Sequence, residues 1–219
     1  MSIRKDFYYH RKARYYLSEE PSRSQQYLCF VLHGYGQLPE YFLKKFTNLE
    51  RHDILFVAPE GLHRFYLNGS SGRVGSSWMT KEDRLNDIDD YCALLDQVAD
   101  ELLVDGGYSK VALLGFSQGV ATATRWSSRT KQSIDELILW SGAFPPDLSF
   151  KEAVSTIGPK PLHLLLGDQD EYAKAEQLEE QRVHLAENGI IAETQLFKGG
   201  HTIIEEVLES LVEKVFPKD

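Results

Sequence analysis

Cysteine is scarce in this chain, and its scarcity excludes two kinds of protein. Only Cys29 and Cys92 occur in 219 residues, and neither has a C-x-x-C partner or a metal-ligand spacing. A disulfide-rich secreted scaffold and a cysteine zinc site are therefore excluded, and we expect both thiols to be buried in a protein of a reducing compartment. The histidine motifs H-x-H and H-E-x-x-H are also missing, so we expect no metal and no cofactor.

Long apolar runs and an excess of positive charge are lacking as well. No stretch of about 18 apolar residues occurs, and the opening residues MSIRKDFYYHRKARYY contain no apolar segment of the signal-peptide kind. We therefore expect no stable membrane insertion and a cytoplasmic location. The net charge of -9 disfavours nucleic acid and anionic membrane surfaces as partners. A homodimer is left open.

What the chain does contain is an ordinary globular composition, 42% hydrophobic and 26% charged. Its length predicts one domain over residues 1–219. Apolar runs of strand length alternate with helical patterns, which favours parallel β-α-β units in an α/β fold with helices on both faces. The strands are predicted at 7–17, paired antiparallel with 26–32, and at 54–59, 110–115, 136–141, 162–167 and 193–197.

Three helices have recognisable ends. The clearest follows a T-x-x-D capping pattern at 80–83, carries apolar residues at three- and four-residue steps from Leu85 to Leu102, and stops at Gly106. The others are predicted at 176–187 and 203–215. The connections 59–81 and 142–160 are too long to be simple links, and both leave the carboxyl ends of strands, where α/β sheets bind ligands.

The segment KVALLGFSQGVATA places a serine between two glycines, after a buried strand and before a helix. GFSQG at 115–119 matches G-x-S-x-G, in which a sharp strand-to-helix turn exposes the serine hydroxyl. Side chains at Gly115 and Gly119 would collide with the turn or the neighbouring strand. We interpret Ser117 as a nucleophile; a serine that merely caps the helix is the alternative.

A serine nucleophile needs a base, and the base needs an acid to orient it. With this turn the chain order is serine, acid, histidine. His201 in FKGGH follows the last strand and is the predicted base, whereas His163 and His184 lie within a strand and a helix. Asp170 is favoured as the acid over Asp168, which is expected to bond the backbone of its own turn.

The oxyanion of the reaction needs two N–H donors. One is predicted at Gln118, directly after the serine, and the other at Tyr35 in HGYG, after an early strand. His33 of the same segment either organises this loop or is a plain loop histidine.

Five segments together resemble the α/β-hydrolase superfamily and, within it, the small carboxylesterase/phospholipase family that includes bacterial esterases and acyl-protein thioesterases. They are HGYG, GFSQG, Ser141-Gly142, GDQD and GGH, and GSSWMTKED resembles the family segment whose aromatic residue lines the acyl site. The resemblance runs from about residue 27 to 215. It implies an α/β-hydrolase fold and ester hydrolysis.

The predicted function is that of a serine hydrolase of carboxylic esters (a carboxylesterase, lysophospholipase or thioesterase) acting on a small ester or thioester. A lactone or peptide hydrolase, and a non-catalytic binding protein of the same fold, are the alternatives. Trp78, Phe65 and Phe144 are the candidates for an acyl pocket, with plain core packing as the other interpretation. Arg64 and Arg73 either meet an anionic substrate group or are solvated loop residues.

Overall fold

A computed structural model of the protein describes residues 2–104, 107–148, 157 and 160–218. Seven strands form one sheet in the order β1-β3-β2-β6-β7-β8-β9. All neighbouring pairs are parallel except β1 with β3. The sheet strands are β1 Tyr15–Leu17, β2 Tyr27–Leu32, β3 Ile54–Pro59, β6 Lys110–Phe116, β7 Glu136–Trp140, β8 Leu162–Gly167 and β9 Ala192–Phe197.

Five described helices cover both faces of this sheet, as the apolar strands predicted. They are α1 Pro39–Thr47, α2 Arg84–Leu103, α3 Gln118–Arg129, α4 Ala175–Glu187 and α5 Glu205–Val215. Alternate residues of each central strand face opposite sides, so β2 sends Phe30 toward α2 and α3 and sends Val31 toward α1 and α5. Both cysteines are buried free thiols, Cys29 on β2 and Cys92 on α2.

The first strand corrects the predicted pairing. An antiparallel strand is present, but it spans only Tyr15–Leu17, and its partner is β3 instead of β2. Tyr15 lies opposite Pro59, so the chain enters the sheet at the carboxyl end of β3. Strand β2 has β3 and β6 on its two sides and has no free edge for a third partner.

The segment 59–81 is also corrected, because most of it is not a loop. It folds into an antiparallel hairpin of β4 His63–Asn68 and β5 Ser71–Ser77. The hairpin is joined to the loop after β2: the N–H of Gly36 donates to the carbonyl of Ser76 (2.8 Å), and the N–H of Ser76 donates to the carbonyl of Gln37 (3.1 Å).

Other element ends differ in smaller ways. The helix predicted after Thr80 begins at Arg84, and Leu85 is exposed instead of facing the core. Its predicted stop at Gly106 lies outside the described residues. The prediction missed α1. Of the connection 142–160, the structure describes 142–148, 157 and 160, and the remainder lies outside the described residues.

Candidate active site

Ser117 stands on the turn between β6 and α3, in the backbone conformation φ 55°, ψ −117°. The motif glycines are required by close backbone contacts, as predicted. A Cβ on Gly115 would lie 2.3 Å from the carbonyl oxygen of Gly119, and one on Gly119 would lie 2.2 Å from that of Leu32 on the neighbouring strand. No side chain fits at either position, so the turn can pack against β2 only with glycine there.

The three residues predicted to share a proton lie in hydrogen-bond contact. His201 Nε2 is 2.8 Å from Ser117 Oγ, and His201 Nδ1 is 2.8 Å from Asp170 Oδ2. A carboxylate can only accept, so Nδ1–H donates to Asp170, and Nε2 is left to accept the serine hydroxyl proton. The imidazole is held from the sides by the rings of Phe116 and Tyr172, whose centroids lie 5.1 and 4.6 Å away.

The side chain of Asp170 is fully buried and stays ionised through its hydrogen bonds. Burial works to raise its pKa, but the hydrogen bonds from the Tyr172 N–H and from His201 oppose burial, and the pKa is held below the ordinary value. Its Oδ1 also accepts the N–H of Ala173 at 3.2 Å. The carboxylate is therefore a fixed negative charge behind the imidazole.

Asp168, the alternative acid, has a different partner. Its Oδ1 accepts the N–H of Gly199 at 3.0 Å, in the loop that carries His201. It therefore bonds the backbone of a neighbouring loop and not of its own turn. This contact ties the ends of β8 and β9 together, which fixes where His201 leaves the sheet.

The two predicted N–H donors belong to segments that adjoin Ser117. Gln118 is the first residue of α3, where backbone N–H groups have no partner within the helix. Tyr35 lies in the loop after β2, between the amides of Gly34 and Gly36, which are bonded to Gln37 Oε1 (2.8 Å) and to the Ser76 carbonyl. A Cβ on Gly34 would lie 3.1 Å from Ser117 Cβ, so this loop lies directly against the serine.

His33 organises the Tyr35 loop. Its ring is fully buried and stacks on Trp78 with centroids 4.9 Å apart. Nε2 accepts the N–H of Gly61 at 3.0 Å, so the proton is on Nδ1, which donates to the carbonyl of Gly34 at 2.8 Å. Burial lowers the pKa of His33 to about 4, and the imidazole is therefore neutral near pH 7.

A cavity of about 720 Å³ opens beside Ser117 and His201. Phe144 lines it, as do His184 on α4 and the apolar residues Leu139, Pro145, Leu164, Leu165, Leu166, Leu178 and Leu185. Two other predicted pocket residues do not reach this cavity. Trp78 is fully buried and donates Nε1–H to the His33 carbonyl (2.9 Å). Phe65, on β4 of the hairpin, packs on the ring of Tyr35 in the loop after β2.

The two arginines of the hairpin do not line this cavity either. Arg64 Nε lies 3.8 Å from Glu60 Oε2. Arg73 lines a separate cavity of about 560 Å³, together with Lys45 of α1. Among the described residues, no group of three or more His, Cys, Asp or Glu side chains could hold a metal ion.

Sequence reasoning missed two supports of the site. The side chain of Gln118 donates to Ser77 Oγ (3.0 Å) and to the Met79 carbonyl (3.1 Å), which ties the end of the hairpin to the serine turn. Asp147 forms ion pairs with Arg125 at 2.7 Å and with Arg84 at 2.6 Å. These pairs anchor the cavity-lining segment 142–148 to α2 and α3, and no short motif signals either contact.

A parallel sheet with a reversed first strand, and a serine turn at its carboxyl edge, define the class of the α/β hydrolases. Esterase PE8 has the same fold at a TM-score of 0.70 and 24% identity, over 94% of this chain and 100% of that one. Acyl-protein thioesterase 2 of Zea mays has a TM-score of 0.70 and 18% identity, over 93% of this chain and 97% of that one. The Bacillus cereus carboxylesterase has a TM-score of 0.66 and 14% identity, over 93% of this chain and 95% of that one.

Residues 16–215 match the family described as phospholipase/carboxylesterase, and the chain belongs to that family. This agrees with the resemblance drawn from the five sequence segments and places the protein among hydrolases of the esterase type. No curated protein matches the chain. No described helix is long and apolar enough to cross a membrane.

Proposed function

We propose that the protein is a serine hydrolase that cleaves carboxylic esters or thioesters through an acyl-enzyme. Ser117 Oγ attacks the acyl carbon while His201 Nε2 takes its proton, and the same imidazole then gives that proton to the departing alcohol or thiol. Asp170 orients the imidazole and stabilises its charged form. The N–H groups of Tyr35 and Gln118 donate to the oxyanion.

Water then releases the acyl group by the same proton path in reverse. The acyl group occupies the cavity lined by Phe144, since its walls include six leucines and two prolines and it begins at the serine. Trp78 acts indirectly in this proposal, by holding His33 and so the Tyr35 loop. No cofactor enters any step.

The observation that carries the proposal is the pair of 2.8 Å contacts that His201 makes with Ser117 and Asp170. The two neighbouring aspartates supply a matched test. Asp170→Asn is expected to lower kcat for an aryl ester by about 10³-fold or more, because an amide can donate to Nδ1 and favour the wrong tautomer. Asp168→Asn is expected to lower kcat less than about tenfold, since the amide oxygen of Asn can still accept the Gly199 N–H and hold the ends of β8 and β9 together.

A fluorophosphonate probe reports the nucleophile independently of the substrate. Wild-type protein should be labelled and Ser117→Ala should not. Equal losses of kcat in the two aspartate variants would contradict the assignment of the acid. An unlabelled but folded wild-type protein would overturn the catalytic proposal in favour of a binding protein.

A further inference from the structure

Residues 2–14, which we call the basic arm, run over the edge of the sheet where the candidate active site lies. Every residue of the basic arm is exposed and none belongs to a helix or strand. The basic arm meets β1 at Tyr15, opposite Pro59 at the carboxyl end of β3. Two bonds of 2.8 and 2.7 Å from the Arg14 guanidinium to the Glu60 carboxylate hold its base there. The basic arm therefore joins the sheet at the carboxyl ends of the parallel strands, the same edge on which Ser117 lies.

The composition of the basic arm is the opposite of that of the whole chain. It carries five basic side chains and one acidic one, whereas the chain as a whole has a net charge of −9. Two of the five, Arg4 and Arg14, are paired with carboxylates, and the other three face solvent. Its large apolar side chains are also unburied: Phe7 is 83% exposed, Tyr8 103% and Tyr9 70%. Aromatic rings left in water next to cations are an unusual surface for a solvated segment, because each exposed ring costs hydrophobic free energy.

The same edge continues this surface beyond the basic arm. The hairpin exposes Tyr66 and Leu67, and it carries Arg73 two strand positions from its turn. The first half of α1 exposes Tyr41, with the Lys44 ammonium 4.9 Å from the ring centroid. Aromatic and basic side chains are thus interleaved over one face instead of gathered in a groove.

We propose that this face, the basic arm with the hairpin and the start of α1, docks on the surface of an anionic phospholipid bilayer. Tyrosine and phenylalanine rings settle at the level of the lipid headgroups, and neighbouring Lys and Arg side chains are attracted to anionic lipid. The negative charge of the remaining surface does not prevent this, because its field is screened within about 10 Å at ordinary ionic strength. The binding is peripheral.

This inference does not depend on the proposed chemistry, so it is tested by binding alone. Wild-type protein should co-sediment with vesicles of phosphatidylcholine mixed with phosphatidylglycerol about tenfold more than with phosphatidylcholine alone, and salt should weaken the binding. Arg11→Glu/Lys12→Glu should lose most of it, because both side chains are exposed on the basic arm. Tyr8→Ser/Tyr9→Ser should weaken binding with little change in its salt dependence.

The matched control reverses two exposed lysines at the other edge of the sheet. Lys131 follows the end of α3, and Lys218 follows α5, so Lys131→Glu/Lys218→Glu makes the same change in net charge far from the docking face. This control should bind the mixed vesicles as wild type does. Equal loss in both charge variants would mean that net charge alone acts, and would overturn the proposal.

Three further results would also overturn it. One is a lack of wild-type binding to the mixed vesicles at low salt. The second is a concentration-dependent dimer in sedimentation velocity that Arg11→Glu/Lys12→Glu abolishes while vesicle binding stays at the phosphatidylcholine level. That result would assign the basic arm to a second copy of the chain. The third is tight binding of a single-stranded oligonucleotide in place of vesicles, which would assign the basic arm to nucleic acid.

Discussion

Ser117 is held in a backbone conformation that residues with a side chain avoid, and its surroundings enforce it. Its N–H donates to the Trp140 carbonyl at 2.9 Å, and its own carbonyl accepts the N–H of Val120 at 3.0 Å. A non-glycine residue at φ 55°, ψ −117° stores about 1–3 kcal/mol of strain. The backbone conformation that aims the Ser117 hydroxyl at His201 therefore lowers the stability of the folded protein.

This strain can be measured by comparing two variants that both lack the hydroxyl. Ser117→Gly is expected to be more stable than Ser117→Ala by about 1 kcal/mol, because the relief of strain exceeds the ~0.5–1 kcal/mol that glycine adds to the entropy of the unfolded chain. Chemical denaturation gives both free energies of unfolding. Ser210, exposed in the interior of α5, supplies the control, since there glycine should be the less stable replacement. If glycine were the more stable replacement at both positions, or alanine at both, Ser117 would not be strained as inferred here.

At the scale of the elements, the serine turn depends on how closely α3 approaches β2. The first turn of the helix lies against the end of the strand with only the hydrogen of Gly119 between them, as the 2.2 Å separation of its hypothetical Cβ from the Leu32 carbonyl shows. Backbone atoms on both sides cannot rotate away as a flexible side chain could. An added methyl group must move the helix, and the serine with it.

Gly119→Ala is therefore expected to cost about 3 kcal/mol or more in the free energy of unfolding, or to prevent folding. Gly107→Ala is the control, because a Cβ at Gly107 meets nothing within 4 Å. We expect that variant to stay within about 1 kcal/mol of wild type. Thermal unfolding of both proteins, with soluble yield as a second measure, compares them. A Gly119→Ala protein as stable as wild type would show that the helix can shift freely.

Short motifs at the ends of apolar strands predicted most of the site, for a physical reason. A parallel strand buried on both faces has an apolar run that is easy to recognise, and the polar residue after it can only lie at the sheet edge. Ser117 and Asp170 each follow such a run, whereas His201 follows the mostly exposed edge strand β9, and the structure brings the three into contact. Trp78 shows where such prediction fails. The segment GSSWMTKED indicates a pocket residue, but whether the ring faces a cavity or the core depends on packing, which the motif does not encode.

The hairpin could not be predicted because it lacks the signal on which strand prediction depends. Most residues of β4 and β5 are exposed, so no alternation of apolar residues marks them. Backbone pairing with residues 36 and 37 holds the hairpin instead, and Gly75 permits it, since a Cβ there would lie 2.2 Å from the Gly36 carbonyl. The three residues of β1 are likewise too few for their sequence to specify β3 as the partner.

For the molecule as a whole, the buried imidazole of His33 links folding to pH. Burial lowers its pKa from 6.5 to about 4, against the opposing effect of its bond to the Gly34 carbonyl. In the unfolded chain the same group has its ordinary pKa. Between about pH 6.5 and 4 the unfolded state therefore binds a proton that the folded state does not, and stability must fall as pH falls. The full effect of this one group is about 3 kcal/mol, reached below pH 4.

His33→Asn should remove that part of the pH dependence. The variant is expected to be less stable than wild type at pH 7, because Gly61 loses its acceptor, but to lose less further stability between pH 6.5 and 4. Ser76→Ala is the control, because the Ser76 hydroxyl lies 3.1 Å from His33 Nε2 and its removal leaves the imidazole in place. In this variant the free energy of unfolding should fall with pH as steeply as in wild type. Urea denaturation at several pH values measures all three proteins. Parallel curves for wild type and His33→Asn would mean that His33 takes up its proton in the folded protein, and the neutral imidazole assigned to the Tyr35 loop would then be wrong.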